Sequence, residues 1–256
     1  MNENTVDRAT SLLPVSCVVP AYNEGERIAV VLNVLEADSS LAEIIVVDDG
    51  STDRTAAMVK TFASRDDRFR IISLGDNCGK AAAMMVGAQE ACADAILFLD
   101  ADLCGLRLEH IHALVHPVLT GECAMTRGRF MQEDGNTHIA HVALYHLSGQ
   151  RCLRWSLFCD APQMFLARYG AETALNLYAR RQGFKVRTVP LVGLAHEGRI
   201  AKRGLLGGLM VSYRVYRGIA LYGLRLMRHS KIVTRALSLI RRGVDVLVRQ
   251  RNRSGD

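Results

Sequence analysis

The pair of carboxylates in Asp100-Ala101-Asp102 is the part of the sequence with the clearest capacity for chemistry. The pair directly follows the apolar run 96–99, so two acids stand at the end of a predicted strand. Like charges this close repel each other, and a bound divalent cation relieves that repulsion. Mg²⁺ and Mn²⁺ prefer such oxygen ligands together with substrate phosphates. The alternative is a polar turn without a ligand, and the pair alone does not decide between the two.

Three other polar segments also follow apolar runs. They are Pro20-Ala21-Tyr22-Asn23-Glu24, Asp48-Asp49-Gly50-Ser51-Thr52-Asp53 and Asn77-Cys78-Gly79-Lys80. Acidic side chains accept hydrogen bonds from a base or a ribose, and a lysine at a helix start suits a phosphate. Each segment alone is equally well explained as a capped turn. The sequence has neither a Walker A loop nor a G-x-G-x-x-G loop, which argues against a P-loop enzyme and a dinucleotide dehydrogenase.

The elements that must position these segments alternate between strand and helix. The predicted strands cover 15–19, 44–47, 69–73 and 95–99, and the predicted helices cover 27–36, 54–63, 80–92 and 108–119. This order predicts an α/β fold with a mostly parallel sheet flanked by helices. Ligands bind at the carboxyl ends of the strands in such sheets, so we expect the four polar segments to meet at one edge.

The second half is less regular. We expect a loop over 127–136, helices over 139–153 and 169–182, and a strand over 184–189 that Pro190 closes. Arg127, Arg129 and Arg199 lie on or near these segments, and guanidinium groups bind phosphates in a bidentate manner. A surface ion pair is the alternative for any one of them.

The net charge of +6 is unevenly distributed. Residues 199–256 carry 14 Lys and Arg against two acids, a balance of +12, whereas the preceding residues carry −6. A nucleic-acid binder would be expected to be basic throughout and to show aromatic residues among its basic ones. We therefore predict no nucleic-acid partner and an anionic surface as the partner of the tail.

The tail becomes helical in pattern from Gly204 onward, with an apolar face opposite a basic one. Its arginines recur every seven residues at Arg228, Arg235, Arg242 and Arg249. A basic amphipathic helix of this type lies on an anionic membrane. The alternatives are a helix packed on the main domain and a homodimer contact. We predict a domain over 1–200 and a basic amphipathic extension over 201–256.

The seven cysteines show no zinc-site spacing and predict a reducing compartment. The N-terminus lacks a signal-peptide pattern, and no apolar run approaches the about 18–20 residues that span a bilayer. We expect a cytoplasmic protein that is peripheral on the inner face of the plasma membrane.

Taken together, in their order and spacing, the four polar segments resemble those of the family-two glycosyltransferases of the GT-A fold. The resemblance covers about residues 14–200 and implies a nucleotide-diphosphate-sugar donor, with a UDP-sugar favoured over a GDP-sugar. In that family the matching residues that bind the nucleotide-sugar are Pro20, Tyr22, Glu24, Asp49, Lys80 and Asp100. Asp100 and Asp102 match the metal motif, which implies Mg²⁺ or Mn²⁺ as cofactor.

Further matches are to polyprenyl-phosphate sugar transferases. The segment Leu147-Ser148-Gly149-Gln150-Arg151 resembles their Ser-Gly-x-Arg motif, which implies that Ser148 and Arg151 lie at the acceptor and the reacting centre. Glu172 matches an acid that faces the acceptor and is the candidate general base, although a helix N-terminal Glu is the alternative. His196 matches a histidine that completes the metal site, and a solvated loop histidine is the alternative.

The resemblance implies a metal-dependent glycosyltransferase that inverts configuration. A polyprenyl phosphate is one candidate acceptor, but segment 196–202 matches the dolichol-phosphate mannosyltransferase pattern only in part. Two alternatives stay open. One is a retaining enzyme similar to glucosyl-phosphoglycerate synthase, and the other is a non-catalytic nucleotide-sugar-binding module. The presence of both carboxylates and Lys80 argues against the second.

Overall fold

The protein is described from a computed structural model, and the structure describes residues 14–131, 149–159, 161 and 171–196. Within them a seven-stranded sheet contains β1 Val15–Ala21, β2 Leu41–Asp48, β3 Phe69–Ser73, β4 Ala95–Phe98, β6 Met125–Met131, β7 Arg151–Arg154 and β8 Val186–Val192. A small sheet pairs β5 Leu103–Cys104 with β9 Ala195–His196. The helices are α1 Ile28–Glu36, α2 Thr55–Ala63, α3 Lys80–Gln89, α4 Leu108–Leu119, α5 Trp155–Cys159 and α6 Ala171–Arg181.

The central strands are apolar along almost their whole length because helices cover both faces of the sheet. One face packs against α1, α2 and α4 in a continuous core. On the other face α3 approaches the sheet closely at Gly87, where an added Cβ would lie 3.0 Å from the Val47 side chain and would clash with Val18. The predicted α/β fold is confirmed, with helices on both faces of the sheet.

The order of the large sheet is β3-β2-β1-β4-β7-β6-β8. The chain builds β2 and β3 on one side of β1 and then crosses to place β4 on the other side, and these four strands run parallel. The boundary between β1 and β4 is therefore a topological switch point, where a crevice opens beyond the carboxyl ends of the strands. The polar segments after β1 and β4 flank this crevice, as the sequence predicted.

Two predictions for the second half are wrong. The predicted loop over 127–136 contains most of β6, and the predicted helix over 139–153 contains most of β7. β7 is antiparallel to both β4 and β6, so the sheet is mixed. The sequences of β6 and β7 are short and contain arginines, so their local pattern does not indicate a strand. Their conformation is decided by pairing with strands that are distant in sequence.

The last predicted strand continues further than expected, because β8 runs through Pro190 to Val192. In the described residues β8 pairs only with β6, so it is an edge strand. Proline lacks an N–H and is tolerated at a sheet edge because no ladder bond is lost on the open side.

The region after β9 lies outside the described residues, and the predicted extension over 201–256 and its boundary stay predictions. Among the helices of the described part of the chain, none has the length and apolar character needed to cross a membrane.

Candidate active site

A lysine held between two carboxylates lies at the carboxyl ends of the parallel strands. Lys80 is the first residue of α3, and its Nζ lies 2.6 Å from Asp100 Oδ1 and 3.0 Å from Glu172 Oε1. Asp100 follows β4, and Glu172 is in the first turn of α6. The lysine side chain is 39% exposed, whereas the two acids are 12% and 13% exposed. Residues far apart in sequence thus form one ion-paired group that a ligand can reach.

Arg151 completes this group from the sheet itself. Its side chain is fully buried in β7, where Arg151 pairs with Phe98 of β4. Its Nη1 donates a hydrogen bond of 3.3 Å to the backbone carbonyl of Glu172. Burial lowers the pKa of Arg151 to about 10, and nearby Glu172 opposes this shift, so the guanidinium stays charged at neutral pH. We call Lys80, Asp100, Arg151 and Glu172 the charged cluster.

The pKa values of the cluster follow from its ion pairs. Burial by itself raises the pKa of Glu172, but the positive charges of Lys80 and Arg151 outweigh burial and hold that pKa below its ordinary value. Burial likewise lowers the pKa of Lys80, and the two carboxylates outweigh it, so that pKa is raised. Glu172 is therefore ionised but weakly basic. A general base works best with a pKa near the operating pH, so its predicted role as a base gains no support.

The backbone of Gly149 lies directly against the cluster, where there is no room for a side chain. An added Cβ would lie 2.6 Å from Lys80 Nζ and 2.7 Å from Asp100 Oδ2, and would also clash with Asp100 Oδ1. A side chain has no room at this position, so space requires glycine there. The Ser-Gly-x-Arg motif contains this glycine, but the sequence alone predicts no role for it. The only signal for its importance was its position between Ser148 and Arg151 in that motif.

Of the predicted metal ligands, Asp100 belongs to the cluster and Asp102 and His196 do not. Asp102 is buried and comes two residues after Asp100, at the start of the segment that forms β5. Backbone pairing of β5 with β9 places His196 opposite Leu103, the residue that follows Asp102. No group of three His, Cys, Asp or Glu residues able to hold a metal ion occurs in the part of the chain that the structure describes. Mg²⁺ sites commonly use one or two carboxylates plus substrate phosphates, so two carboxylates fit such a site.

The loops after β1 and β2 are locked together by hydrogen bonds. Asn23 adopts a positive φ of 54°, and its N–H donates to Ser51 Oγ at 2.9 Å. In return, the Thr52 N–H donates to Asn23 Oδ1 at 2.9 Å. The Glu24 N–H donates to Thr55 Oγ1, also at 2.9 Å. We call residues 22–25 and 48–55 the paired loops, because side-chain oxygens of each loop accept hydrogen bonds from backbone N–H groups of the other.

The predicted nucleoside-binding residues lie in the paired loops and in the strand that precedes the first of them. Pro20 is within β1, and Tyr22 follows that strand with 45% of its surface exposed, which leaves its ring open to a flat ligand. Glu24 forms an ion pair of 3.0 Å with Arg27. These positions agree with a nucleoside site beside β1, although the binding roles themselves stay predictions.

Asp49 has a role that the sequence did not predict. It is buried, and its Oδ1 accepts the Cys78 N–H at 2.7 Å while its Oδ2 accepts the Gly79 N–H at 2.8 Å. Both carboxylate oxygens therefore hold the turn that precedes Lys80. Asp49 positions the lysine at the start of α3, in addition to any contact with a nucleoside.

The predicted acceptor residues are only partly described. Arg127 and Arg129 lie in β6 and are half-buried, and Arg127 Nε donates to Thr188 Oγ1 of β8 at 2.9 Å. The positive charge of Arg127 contributes to lowering the pKa of Arg151, so the two guanidinium groups lie near each other. Ser148 and Arg199 lie outside the described residues.

Comparison with known proteins places the sequence in a family of sugar-transferring enzymes. Residues 16–174 match the sequence model of the family described as glycosyl transferase family 2. An undecaprenyl-phosphate 4-deoxy-4-formamido-L-arabinose transferase from Pectobacterium carotovorum is 42% identical over 94 residues, which are 35% of this chain and 29% of that protein. A dolichyl-phosphate beta-glucosyltransferase from Trichomonas vaginalis is 40% identical over 94 residues, 33% of this chain and 28% of that protein. The matched segment thus spans less than a third of these relatives.

Solved structures confirm the fold. Glucosyl-3-phosphoglycerate synthase from Mycobacterium tuberculosis, crystallised with Mn²⁺, UDP and phosphoglyceric acid, superimposes with a TM-score of 0.64 at 23% identity, covering 82% of this chain and 78% of that one. Mannosyl-3-phosphoglycerate synthase from Rubrobacter xylanophilus has a TM-score of 0.64 at 20% identity, covering 84% and 75%. At these identities the likeness concerns the arrangement of strands and helices.

Proposed function

Because the chain belongs to glycosyl transferase family 2, we propose that it transfers a sugar from a nucleotide-diphosphate sugar to an acceptor that already carries a phosphate. The observation that carries this proposal is the charged cluster at the switch point of the sheet. There Lys80 is partly exposed between Asp100 and Glu172, beside the buried Asp102. The cluster offers a positive charge to phosphate oxygens and holds Glu172 ionised.

The donor is proposed to lie across β1 and β4. The paired loops and the exposed ring of Tyr22 would hold the nucleoside, with UDP favoured, and Lys80 would contact the diphosphate. Asp100 and Asp102, with His196, are proposed to hold Mg²⁺ or Mn²⁺. When bound, the divalent cation would neutralise negative charge on the departing nucleoside diphosphate.

The acceptor class follows from the state of Glu172. A hydroxyl acceptor needs a base to remove its proton, and the ion pair with Lys80 makes Glu172 a poor base. A phosphate acceptor is already anionic at neutral pH, so its oxygen attacks without losing a proton. A bond forms between that oxygen and the anomeric carbon while the bond to the diphosphate breaks. We propose that this displacement inverts the configuration, and that Arg127, Arg129 and Arg151 orient the acceptor.

A polyprenyl phosphate is the proposed acceptor. The relatives from Pectobacterium carotovorum and Trichomonas vaginalis are named for undecaprenyl phosphate and dolichyl phosphate, which supports this choice. The charge of +12 over residues 199–256 supports peripheral binding to an anionic bilayer, where such a lipid resides. Flotation with phosphatidylglycerol vesicles should recover the full chain, and flotation with phosphatidylcholine vesicles should not. Equal recovery from both would contradict the electrostatic contact.

Donor and acceptor are tested in two steps. Melting temperatures are measured with UDP-, GDP- and dTDP-sugars, with and without Mn²⁺, because a bound ligand raises the melting temperature by mass action. Transfer from the stabilising donor is then measured to undecaprenyl phosphate in vesicles and to 3-phosphoglycerate in solution. Product on the lipid with inverted configuration by NMR is the expected result.

Three other outcomes would overturn parts of this proposal. No stabilisation by any nucleotide with Mn²⁺ would remove the donor assignment. Product on 3-phosphoglycerate alone, with retained configuration, would replace the lipid acceptor by a small soluble one. Unchanged transfer by the Asp102→Asn variant would contradict the proposed metal site.

A further inference from the structure

Lys80 is paired with a carboxylate that is proposed to hold the divalent cation. Its Nζ lies 2.6 Å from Asp100 Oδ1, and Asp100 is one of the two carboxylates that fit a metal. An ammonium group and a divalent cation repel each other at such separations, and they compete for the same carboxylate. The lysine is part of the folded site rather than a chance surface contact, because Asp49 fixes the turn that carries it.

We propose that Lys80 is an internal counter-cation that makes the binding of a divalent cation depend on the binding of a nucleoside diphosphate. Without nucleotide, Lys80 stays on Asp100 and weakens metal binding. With nucleotide, the diphosphate oxygens provide Lys80 with another partner, which removes the competing positive charge from Asp100 Oδ1. This inference rests on the proposed function, since it assumes that the donor diphosphate lies at the cluster.

The surroundings of Lys80 permit this exchange. The side chain is 39% exposed, so phosphate oxygens can reach it. Glu172 lies 3.0 Å from Nζ and remains a partner when Lys80 leaves Asp100, so the ammonium is never without a carboxylate. Gly149 stands against both members of the Lys80–Asp100 pair, where even a Cβ would lie 2.6 Å from Nζ. The backbone therefore restricts movement on that side and leaves the sides of Glu172 and solvent open.

The small number of candidate metal ligands also supports a link between metal binding and nucleotide binding. Asp100, Asp102 and His196 would supply fewer ligands than the octahedral geometry of Mg²⁺ requires, so part of the coordination would come from elsewhere. Diphosphate oxygens are the ordinary source of the remaining ligands for Mg²⁺ and Mn²⁺. Metal and nucleotide would therefore each favour the other, and Lys80 strengthens this coupling by penalising metal binding alone.

The experiment measures Mn²⁺ binding by electron paramagnetic resonance, at constant ionic strength, with and without UDP. It compares the wild type with Lys80→Gln, Lys80→Arg and the control Lys60→Gln, since Lys60 is an exposed residue of α2. We expect Lys80→Gln to tighten Mn²⁺ binding without UDP by about tenfold, a modest effect for removing a unit charge a few ångströms away. The increase in Mn²⁺ affinity on adding UDP should be smaller in this variant than in the wild type.

The charge-preserving variant and the control make the result specific. Lys80→Arg and Lys60→Gln should leave Mn²⁺ affinity without UDP close to the wild-type value. Unchanged or weaker Mn²⁺ binding by Lys80→Gln would overturn the inference, and so would equal tightening by Lys80→Gln and Lys80→Arg. If Lys80→Gln does not fold, Lys80→Met removes the charge and gives the same readout.

The two proposals fail in different ways. If UDP binds none of the four proteins in the presence of Mn²⁺, the donor assignment fails. The comparison of Mn²⁺ affinities without nucleotide still decides whether Lys80 competes with the metal. If UDP binds but Lys80→Gln leaves Mn²⁺ affinity unchanged, only the inference about Lys80 fails.

Discussion

The paired loops and the charged cluster flank the same crevice but are stabilised by different forces. Hydrogen bonds between polar backbone groups and short side chains join the paired loops, as in the contact of the Asn23 N–H with Ser51 Oγ. Ion pairs hold the charged cluster, and its members come from α3, the end of β4, β7 and α6. Hydrogen bonds give the first region a fixed shape. Ion pairs give the second region a charge balance that an incoming phosphate or cation can change.

The largest effect is expected from Arg151→Met. This change removes a fully buried charge and leaves Glu172 with Lys80 as its remaining cationic partner in the cluster. The free energy of unfolding should fall by about 3–5 kcal/mol, because a buried carboxylate loses part of its compensation. Urea unfolding measures the loss. Arg154→Ala, at an exposed position of the same strand, is the matched control and should change stability little. Similar losses for both variants would show that strand β7, rather than the cluster, is sensitive.

The next effect is expected from Gly149→Ala, which inserts a methyl group against Lys80 and Asp100. We expect kcat/KM to fall by at least about tenfold and the free energy of unfolding by about 1–3 kcal/mol, as is usual when a packed site is overfilled. Gly75→Ala is the control, because a Cβ at this exposed glycine meets nothing within 4 Å. Full activity of Gly149→Ala would mean that the cluster does not require its observed spacing.

A smaller effect is expected from Asp49→Asn. The carboxamide keeps one acceptor oxygen, so one of the N–H groups of Cys78 and Gly79 loses its partner. The cost is about 1–3 kcal/mol, the price of an unsatisfied buried donor. Hydrogen exchange of the Cys78 and Gly79 amides should accelerate relative to Asp76→Asn, a change in the same exposed turn. Unchanged protection would contradict the role of Asp49 in holding Lys80.

The smallest effect is expected from pH. The pKa of Glu172 is lowered in the folded protein from an ordinary value of 4.5, so this acid stabilises the fold at pH values above its ordinary pKa. That contribution disappears as the pH falls through the folded pKa. The difference in melting temperature between wild type and Glu172→Gln should therefore shrink as the pH falls from neutral to below the ordinary pKa of 4.5. A difference that stays constant over this range would show that Glu172 has no lowered pKa.

The sequence predicted one of these two regions better than the other. Both paired loops follow strands with clear apolar runs, and their pairing is a consequence of β1 and β2 being neighbours. The segments of Lys80 and Asp100 were also expected at the same edge of the sheet, but their ion pair was not predicted. Arg151 and Gly149 belong to the Ser-Gly-x-Arg motif, but the sequence predicted a helix where the structure has β7. A strand of four residues is too short to show a clear alternation of apolar and polar residues, so the sequence pattern does not reveal that its arginine is buried.

By itself the sequence determined the family, the alternation of strands and helices through α4, and the acids and the lysine that face the crevice. These properties depend on local patterning and on the rule that parallel strands present their carboxyl ends together. The tertiary structure alone decided that β7 runs antiparallel between β4 and β6, which brings Arg151 and Gly149 to the cluster. It also decided that Asp49 holds the turn of Lys80 and that Glu172 is ion-paired. Each of these contacts joins residues far apart in the chain, and the balance between burial and charge at such a contact exists only after the fold has formed.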